Sequence, residues 1–250
     1  MLAVTTRGLS RYANIRSEHG WSAACVWLFD RVATRCINLC VDEVVWLEPG
    51  HIKLVGNPPE DFSFRFLTAA EVAGFVSAEN EIEEAHVQRA AAGHDLCFAA
   101  LKDGRLAAYG WYALGSIEGE HCDGVPLSFP PDIAYMYKGF THPDFRGLRL
   151  HGFAMRLALE TLAAERGIRG LISTVGWLNW PSLKSCDRLG YQRLGRMVRC
   201  GWKYLGAGWY PTAARALGVE FGRFADLSSR QQSRVSAPSM PVAEHAALAT

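Results

Sequence analysis

The stretch of sequence that decides the fold is IAYMYKGFTHPDFRGLRLHGFAMRLALETLAAERG, residues 133–167. Its first nine residues are rich in aromatic and β-branched side chains, and they predict a strand. A turn that contains Pro143, Arg146 and Gly147 follows. Beyond the turn, the apolar spacing predicts a helix that Gly167 ends. A strand, a tight turn and a helix are therefore expected in direct succession.

The turn of this segment has the composition of an anion site. The first turn of a helix leaves backbone N–H groups unpaired and carries the positive end of the helix dipole, so phosphate groups bind there. Arg146 and Arg149 flank the turn and can add charge-assisted hydrogen bonds. Gly147 and Gly152 leave room for a phosphate to approach the backbone. The alternative is an ordinary turn with solvated arginines, and this stretch alone does not separate the two.

Strand and helix patterns alternate on both sides of this segment. A strand, two helices and a hairpin are predicted upstream, and Asp103-Gly104 is a strong two-residue signal for the hairpin turn. A strand, a short helix and a final strand are predicted downstream. The ranges are 62–68, 69–79, 81–93 and 95–114 before the segment, and 170–176, 181–190 and 191–202 after it. This succession predicts a single mixed α/β domain.

The first 60 residues are predicted to form a helical extension of that domain. Residues 18–41 fit an amphipathic helix, with an apolar stripe of Trp21, Cys25, Leu28, Val32, Cys36 and Leu39. The favoured interpretation is a helix packed on the main domain or on a second subunit, which leaves a homodimer open. A peripheral membrane helix anchored by Trp21 and Trp27 is the disfavoured alternative, because the polar face is not rich in lysine. The main domain is predicted over 61–226, and the polar segment 227–250 as a disordered tail.

Charge is distributed unevenly along a chain whose total is nearly neutral. The formal net charge is +1, which excludes a strongly basic nucleic-acid binder, so no nucleic-acid partner is expected. Residues 1–130 carry 10 Lys and Arg against 17 Asp and Glu, whereas residues 131–203 carry 12 against 5. An anionic ligand is therefore expected on the second half and a cationic one near the first.

The cysteines favour an intracellular chain without a metal site. Seven cysteines are scattered over the 250 residues, which does not resemble a secreted disulfide framework, and their spacing does not resemble a zinc site. The N-terminus lacks the order of a signal peptide, and no apolar run reaches the ~18 residues that a membrane span needs. A cytoplasmic protein is expected.

Two motifs make the chain resemble the GNAT superfamily of N-acetyltransferases. Residues 141–151, THPDFRGLRLH, resemble the end of that family's fourth strand and the following turn, V-x-P-x-x-[R/Q]-G-x-G-x-[G/A]. Asn179, followed eleven residues later by Gly190 and Tyr191, resembles its second element. The resemblance covers about residues 62–203. It implies an α+β fold in which helices flank a mixed, mostly antiparallel sheet. The implied activity is an acyl-CoA-dependent N-acyltransferase, most simply an acetyltransferase for a small-molecule amine.

The resemblance also implies where acetyl-CoA, or another acyl-CoA, would bind. Its pyrophosphate is expected on the backbone after strand four, and its pantetheine between strands four and five. A backbone N–H near residues 140–142, at a bulge in strand four, is expected to polarise the thioester carbonyl. Asn179 is expected to hold pantetheine, to cap the following helix, or to do both. The implied cofactor-binding residues are Phe140, Thr141, Arg146, Gly147, Leu148, Arg149, Leu150, His151, Gly152 and Asn179.

Three positions depart from the family pattern. Arg149 and His151 stand where the family has Gly and Gly or Ala, so Arg149 is expected to contact phosphate and His151 to face solvent. Cys186 stands where many members have a catalytic Tyr, and a packing role is favoured over a role as general acid. The candidates for proton transfer are Tyr137, His142 and Cys186, since strand four offers no carboxylate.

The acceptor region is expected among acidic residues. Two segments border it in the family, and here they carry Glu79, Glu81, Glu83 and Glu84 in one, and Glu118, Glu120, His121 and Asp123 in the other. Trp111 and Tyr112 are expected either to wall this pocket or to lie in the core. Two alternatives remain open: an N-acyltransferase that uses long-chain acyl-CoA or acyl carrier protein, and a catalytically degenerate CoA-binding or scaffold domain.

Overall fold

The computed structural model describes residues 6–37, 39–54, 56–118, 125–202 and 205–222. The helices in these ranges are α1 Thr6–Ile37, α2 Ala69–Ala73, α3 Glu84–Ala91, α4 Leu150–Arg166, α5 Trp180–Leu189 and α6 Thr212–Ala216. The strands are β1 Cys40–Leu47, β2 Ser63–Leu67, β3 Asp95–Lys102, β4 Arg105–Leu114, β5 Ser116–Ile117, β6 Leu127–Ser128, β7 Ile133–Thr141, β8 Gly170–Gly176, β9 Gln192–Trp202, β10 Leu205–Trp209 and β11 Glu220–Phe221. The segment predicted as a disordered tail, 227–250, lies outside the described residues.

Eight of these strands form one mixed sheet in the order β10-β9-β1-β8-β7-β4-β3-β2. All neighbouring pairs are antiparallel except β7 and β8, which run parallel. A small second sheet contains β11, β6 and β5. This architecture confirms the predicted mixed, mostly antiparallel sheet flanked by helices.

β1 lies inside the sheet, between β8 and β9, so the predicted helical extension up to residue 60 is wrong. Trp46 pairs with Ile172 of β8 and with Gln192 of β9. Asp42 and Glu43 interrupt the apolar pattern of the strand, yet both are buried. Their charges are compensated by β9, because Arg199 forms an ion pair with Asp42 and Arg196 forms one with Glu43 at 2.7 Å.

α1 begins and ends earlier than the predicted helix of residues 18–41. It runs from Thr6 to Ile37, with a break in helical geometry at Gly20, where φ is 85°. Ala24 and Ala33 are its buried residues beyond the break. None of the helices in the described ranges is long and apolar enough to cross a membrane.

The predicted hairpin turn and the predicted end of α4 lie where their local sequence signals placed them. Asp103 and Gly104 form the predicted hairpin turn between β3 and β4, with φ of 50° and 75°. α4 ends at Gly167, whose φ of 67° is the left-handed cap that glycine favours. The two helices predicted before β3 are shorter than expected, since α2 ends at Ala73 and α3 begins at Glu84.

The core has a layer on each face of the sheet. α4 packs on one face through Ala154, Ala158 and Leu159, against a cluster that includes Val45 and Leu171. On the other face, Trp46 lies in a second cluster together with residues of the small sheet and α6. β1 therefore contributes to both layers, as a central strand does.

Because β1 is a central strand, Trp46→Ala is expected to lower the free energy of unfolding by about 3–5 kcal/mol. Trp46 is 2% exposed, and truncation leaves a cavity beside Gly170, where an added Cβ would lie only 2.4 Å from the indole. Trp209→Ala is the matched control. Its side chain is 79% exposed, so a change below about 0.5 kcal/mol is expected. Urea denaturation measures both, and a mild effect of Trp46→Ala would show that β1 is dispensable.

Candidate functional site

The parallel strands β7 and β8 separate soon after they begin. They pair only over Ile133–Tyr135 and Gly170–Ile172. Two side-chain contacts then join the strands. Ser173 Oγ donates to the Met136 carbonyl at 2.6 Å, and the Tyr135 and Thr174 hydroxyls lie 2.6 Å apart. Beyond these contacts the two strands diverge, which leaves the β8-facing side of β7 open toward the start of α4.

A bulge interrupts β7 at the same level, but earlier than predicted. Lys138 lies opposite Trp111 while Met136 lies opposite Tyr112, so Tyr137 is the extra residue. The bulge expected at residues 140–142 is not there. Phe140 pairs regularly with Tyr109, and the His142 N–H donates to the Ala107 carbonyl at 2.9 Å.

The turn between β7 and α4 has the backbone of an anion cradle despite the absence of the second glycine. Gly147 has φ of 87°, and Arg149, the N-cap of α4, has φ of 60°. Arg149 thus adopts the left-handed conformation for which glycine is the default, at a cost on the order of 1 kcal/mol. Its side chain is exposed and does not cap the first N–H groups of α4.

A cleft of about 490 Å³ lies over this turn. Seven of the ten predicted cofactor-binding residues line it: Thr141, Arg146, Gly147, Arg149, Leu150, His151 and Gly152. Phe140, Leu148 and Asn179 are not among the lining residues. Phe140 is buried and stacks on Tyr109 at 5.4 Å, Leu148 is exposed, and Asn179 caps α5 by accepting the Ser182 N–H at 3.4 Å.

Two further cations in the cleft come from outside the predicted set. Lys53 follows β1, and Arg188 lies in the last turn of α5. The Lys53 N–H donates to the Leu189 carbonyl at 2.9 Å, which ties the two walls together. Gly190 permits this approach, because its φ is 108° and an added Cβ would lie 2.0 Å from the His51 carbonyl oxygen. This close contact explains why the second motif has a glycine at residue 190.

The cleft is electropositive and uncompensated. Its cations are Lys53, Arg146, Arg149 and Arg188, and none of the described residues that line it is a carboxylate. Among the described residues, none of the four forms an ion pair with Asp or Glu. Several positive charges beside free helix N–H groups are an arrangement that binds phosphates.

His151 is turned inward, so the expectation that it faces solvent is wrong. Its ring lies against Gly139 of β7, where an added Cβ would be 2.2 Å from His151 Cε1. Burial lowers the pKa of His151 to about 4, although a hydrogen bond with the Tyr109 backbone acts in the opposite direction, so the imidazole is neutral near pH 7. The missing side chain at residue 139 makes room for the extra one at residue 151. The cradle therefore stays open although the family's Gly or Ala is replaced.

The three candidates for proton transfer do not line the cleft, and two have other partners. The Tyr137 hydroxyl donates to Asp95 at 2.7 Å, and burial raises the pKa of Tyr137, which makes it a poor proton donor. His142 is buried, with Nε2 2.8 Å from Glu79 and Nδ1 accepting the Asp144 N–H. These contacts indicate a structural role for both residues.

Cys186 packs against the α4 core. Burial raises the pKa of its thiol to about 11. A buried thiol of this kind fits the packing role favoured for it from the sequence, and the role of general acid loses support.

The acidic segments are only partly described. Glu79 contacts His142, the Glu81 carbonyl accepts from Lys138 Nζ, and the Glu83 N–H donates to His86 Nδ1 at 3.1 Å. Glu120, His121 and Asp123 lie outside the described residues. Trp111 and Tyr112 are fully buried, so they belong to the core. Among the described residues there is no group of His, Cys, Asp and Glu that could hold a metal ion.

Comparisons with known proteins give structural neighbours only. No protein-family model and no curated protein sequence matches the chain. Many of the solved structures that match are GCN5-related N-acetyltransferases, the superfamily that the two motifs resemble, all at low identity. One, from Kribbella flavida, is 15% identical with a TM-score of 0.44, and the match covers 72% of this chain and 62% of that one.

Two further neighbours have comparable scores. A GCN5-related N-acetyltransferase-like protein from Streptococcus suis 89/1591 is 18% identical with a TM-score of 0.47, covering 74% of this chain and 68% of that one. AAC(6')-Iy, in complex with the bisubstrate analogue CoA-S-monomethyl-acetylneamine, is 16% identical with a TM-score of 0.41, covering 52% and 90%. At these identities and TM-scores the likeness assigns neither a substrate nor an activity to this chain.

The packing of His151 on Gly139 predicts a strong coupling between the two positions. Gly139→Ala alone is expected to cost about 1–3 kcal/mol of stability, because the new methyl group overlaps the buried ring. In a His151→Ala background the same substitution is expected to cost about 1–2 kcal/mol less. Urea denaturation of the four proteins gives this coupling, and additive effects would place the His151 ring elsewhere.

Proposed function

We propose that the chain is an acyl-CoA-dependent N-acyltransferase, most simply an N-acetyltransferase, that acts on a small-molecule amine. The observation that carries this proposal is a cleft with four cations, Lys53, Arg146, Arg149 and Arg188, none of which is paired with a described carboxylate. The cleft lies where α4 begins and where β7 and β8 diverge. A multiply phosphorylated ligand fits the cations, and an extended amide-containing arm fits the open side of β7.

The distribution of the cations favours CoA over acyl carrier protein as the donor. Arg146 and Arg149 flank the free N–H groups of α4 and are assigned to the pyrophosphate. Lys53 and Arg188 stand apart from the turn and are assigned to the 3′-phosphate. The phosphopantetheine arm of acyl carrier protein has a single phosphate and no nucleotide, so it would leave the second pair without a ligand.

The reaction proposed is direct attack of a neutral amine on the thioester. The amine nitrogen forms a bond to the carbonyl carbon, whose oxygen becomes an oxyanion, and the amine proton passes to water. The C=O bond then re-forms, the C–S bond breaks, and the CoA thiolate leaves and takes up a proton. The thioester carbonyl is placed beside the bulge at Tyr137, where a backbone N–H would stabilise the developing oxyanion. The proposed reaction uses none of the three earlier candidates for proton transfer. Tyr137 and His142 contact carboxylates, and the Cys186 thiol is buried.

A CoA-binding protein without turnover is the second candidate. It is favoured by one observation, namely that the hydroxyl of Tyr137 and the ring of His142 are both engaged by carboxylates. Neither candidate requires a metal. A cytoplasmic location and a homodimer remain predictions from the sequence.

Arg146→Ala is expected to weaken acetyl-CoA binding about 10- to 100-fold, since it removes charge-assisted hydrogen bonds to phosphate. Arg166→Ala, at the other end of α4, is the matched control and is expected to bind like the wild type. Calorimetry or the thermal shift produced by acetyl-CoA measures the effect. Equal affinity of the wild type and Arg146→Ala would contradict the assignment of the cradle.

Turnover is tested by the release of free CoA thiol in the presence of a panel of amines. Release from acetyl-CoA supports the enzyme, whereas tight binding without release for any amine supports the second candidate. Competition among acetyl-, octanoyl- and palmitoyl-CoA reports the acyl length, and preference for palmitoyl-CoA would support the long-chain alternative.

The assignment of Lys53 and Arg188 predicts discrimination between CoA and dephospho-CoA. The wild type is expected to bind CoA about tenfold more tightly, a typical contribution of such charge-assisted contacts. Lys53→Ala and Arg188→Ala are each expected to reduce this preference while leaving the affinity for dephospho-CoA nearly unchanged. Lys184→Ala, also on α5 but outside the cleft, is the control. If each variant still prefers CoA over dephospho-CoA as strongly as the wild type, the 3′-phosphate binds at another place.

A further inference from the structure

Beyond the Gly20 break, α1 places its small residues inward and its large apolar residues outward. Ala24 and Ala33 are buried. Five exposed side chains share one face of the helix, because they recur at intervals of three and four residues. Val26, which is 37% exposed, lies off this face and lines the cavity on the inner side. We call this face the outer stripe; it consists of Trp21 (64% exposed), Cys25, Leu28 (48%), Phe29 (66%) and Val32 (45%).

The orientation of α1 is fixed by contacts on its inner side. Asp30 accepts a hydrogen bond from Trp177 Nε1 at 2.9 Å. The His19 ring lies 4.5 Å from the ring of Trp180. Ala23 also faces the body of the protein, where it lines a cavity together with residues of α5 and β9. The helix therefore cannot bury the outer stripe by rotation without breaking these contacts.

Positive charge accompanies the outer stripe. The sequence of α1 contains Arg7, Arg11, Arg16, Arg31 and Arg35 against only Glu18 and Asp30. The guanidinium of Arg16 lies 4.6 Å from the centre of the Trp21 ring, and that of Arg31 lies 5.3 Å from that of Trp27. Five arginines against two acids give the sequence of α1 an excess of positive charge.

A further exposed tryptophan lies on the face of the sheet that α1 covers. Trp209 of β10 is 79% exposed and pairs with Val198 of β9, which pairs with Val41 of β1. Val41 shares its face with Glu43, two residues on, and Glu43 lines the cavity beneath α1. Exposed indoles are typical of proteins that lie in the interface of a bilayer.

The lack of lysine disfavoured a membrane helix from the sequence, but arginines beside the exposed face supply the positive charge. We propose that α1 binds reversibly to the surface of a bilayer that contains anionic phospholipids. The outer stripe enters the interface, while Arg16 and Arg31 contact headgroup phosphates. Charge selects this occupant over a second copy of the chain, because two copies packed stripe to stripe would bring the same arginines together. The inference concerns a surface separate from the cation cleft and does not depend on the proposed activity.

The test is co-sedimentation of the full chain with phospholipid vesicles. The wild type is expected to bind vesicles of phosphatidylcholine mixed with phosphatidylglycerol, and to bind pure phosphatidylcholine far less. The double substitution Trp21→Ser with Phe29→Ser is expected to lower the partition constant at least tenfold by removing the apolar contact. Arg16→Ala and Arg31→Ala are expected to lower it about fivefold each, with weaker dependence on salt.

Val76→Ser is the matched control, since Val76 is an exposed apolar residue between α2 and α3. It is expected to bind vesicles like the wild type. Circular dichroism and the thermal transition verify that each variant is folded. Failure of the wild type to bind anionic vesicles, or equal binding to neutral ones, overturns the proposal. The proposal is also overturned if the wild type sediments as a dimer, does not bind vesicles, and is dissociated by the double substitution. A second copy of the chain would then cover the outer stripe.

Discussion

The candidate site depends on the early divergence of two parallel strands. β7 and β8 share three residue pairs, and beyond them the Ser173 hydroxyl, bonded to the Met136 carbonyl, takes the place of the next ladder contact. The backbone of β7 beyond this point has strand β4 on one side and a gap on the other. Because buried backbone polar groups need partners, such a gap suits a ligand with amide groups of its own. The bulge at Tyr137 lies at the start of the gap.

The parts of the fold that could be predicted from the sequence are those with local causes. A two-residue turn at Asp103-Gly104 and a left-handed cap at Gly167 need no distant partner, and both hold in the structure. The β7 strand was predicted at its observed bounds because its aromatic and β-branched composition is itself the signal. The mixed, mostly antiparallel character of the sheet came from the resemblance rather than from any local pattern, and the order of the strands was not predicted.

β1 shows why the rest of the fold could not be predicted. Asp42 and Glu43 resemble an interruption of an apolar run, and only the tertiary structure brings Arg199 and Arg196 from the far end of the chain to compensate them. Register with β8 and β9 is set by contacts more than a hundred residues away in sequence. Periodicity within a window of neighbouring residues cannot contain that information.

The candidate site divides in the same way. Arg146 and Gly147 were found because a motif concentrates them in one turn, whereas Lys53 and Arg188 come from separate elements and have no shared signal. The packing of the His151 ring on Gly139 did have a sequence signal, since a glycine inside a strand often marks a close approach of another group. The His at a motif position that usually carries Gly or Ala and the glycine in the preceding strand could together have predicted this contact.

Ion pairing changes the meaning of the uneven charge along the chain. Five of the 17 acids in the first 130 residues form ion pairs with arginine or lysine: Asp42, Glu43, Asp61, Glu71 and Asp95. The excess of acid in that half therefore gives only weak support to an amine-binding field. The cations of the cleft are different, because no described carboxylate offsets them, and one of them, Lys53, belongs to the acidic half. What distinguishes the candidate binding surface is a local group of cations that no described carboxylate offsets, which the sum of charges over a long segment does not reveal.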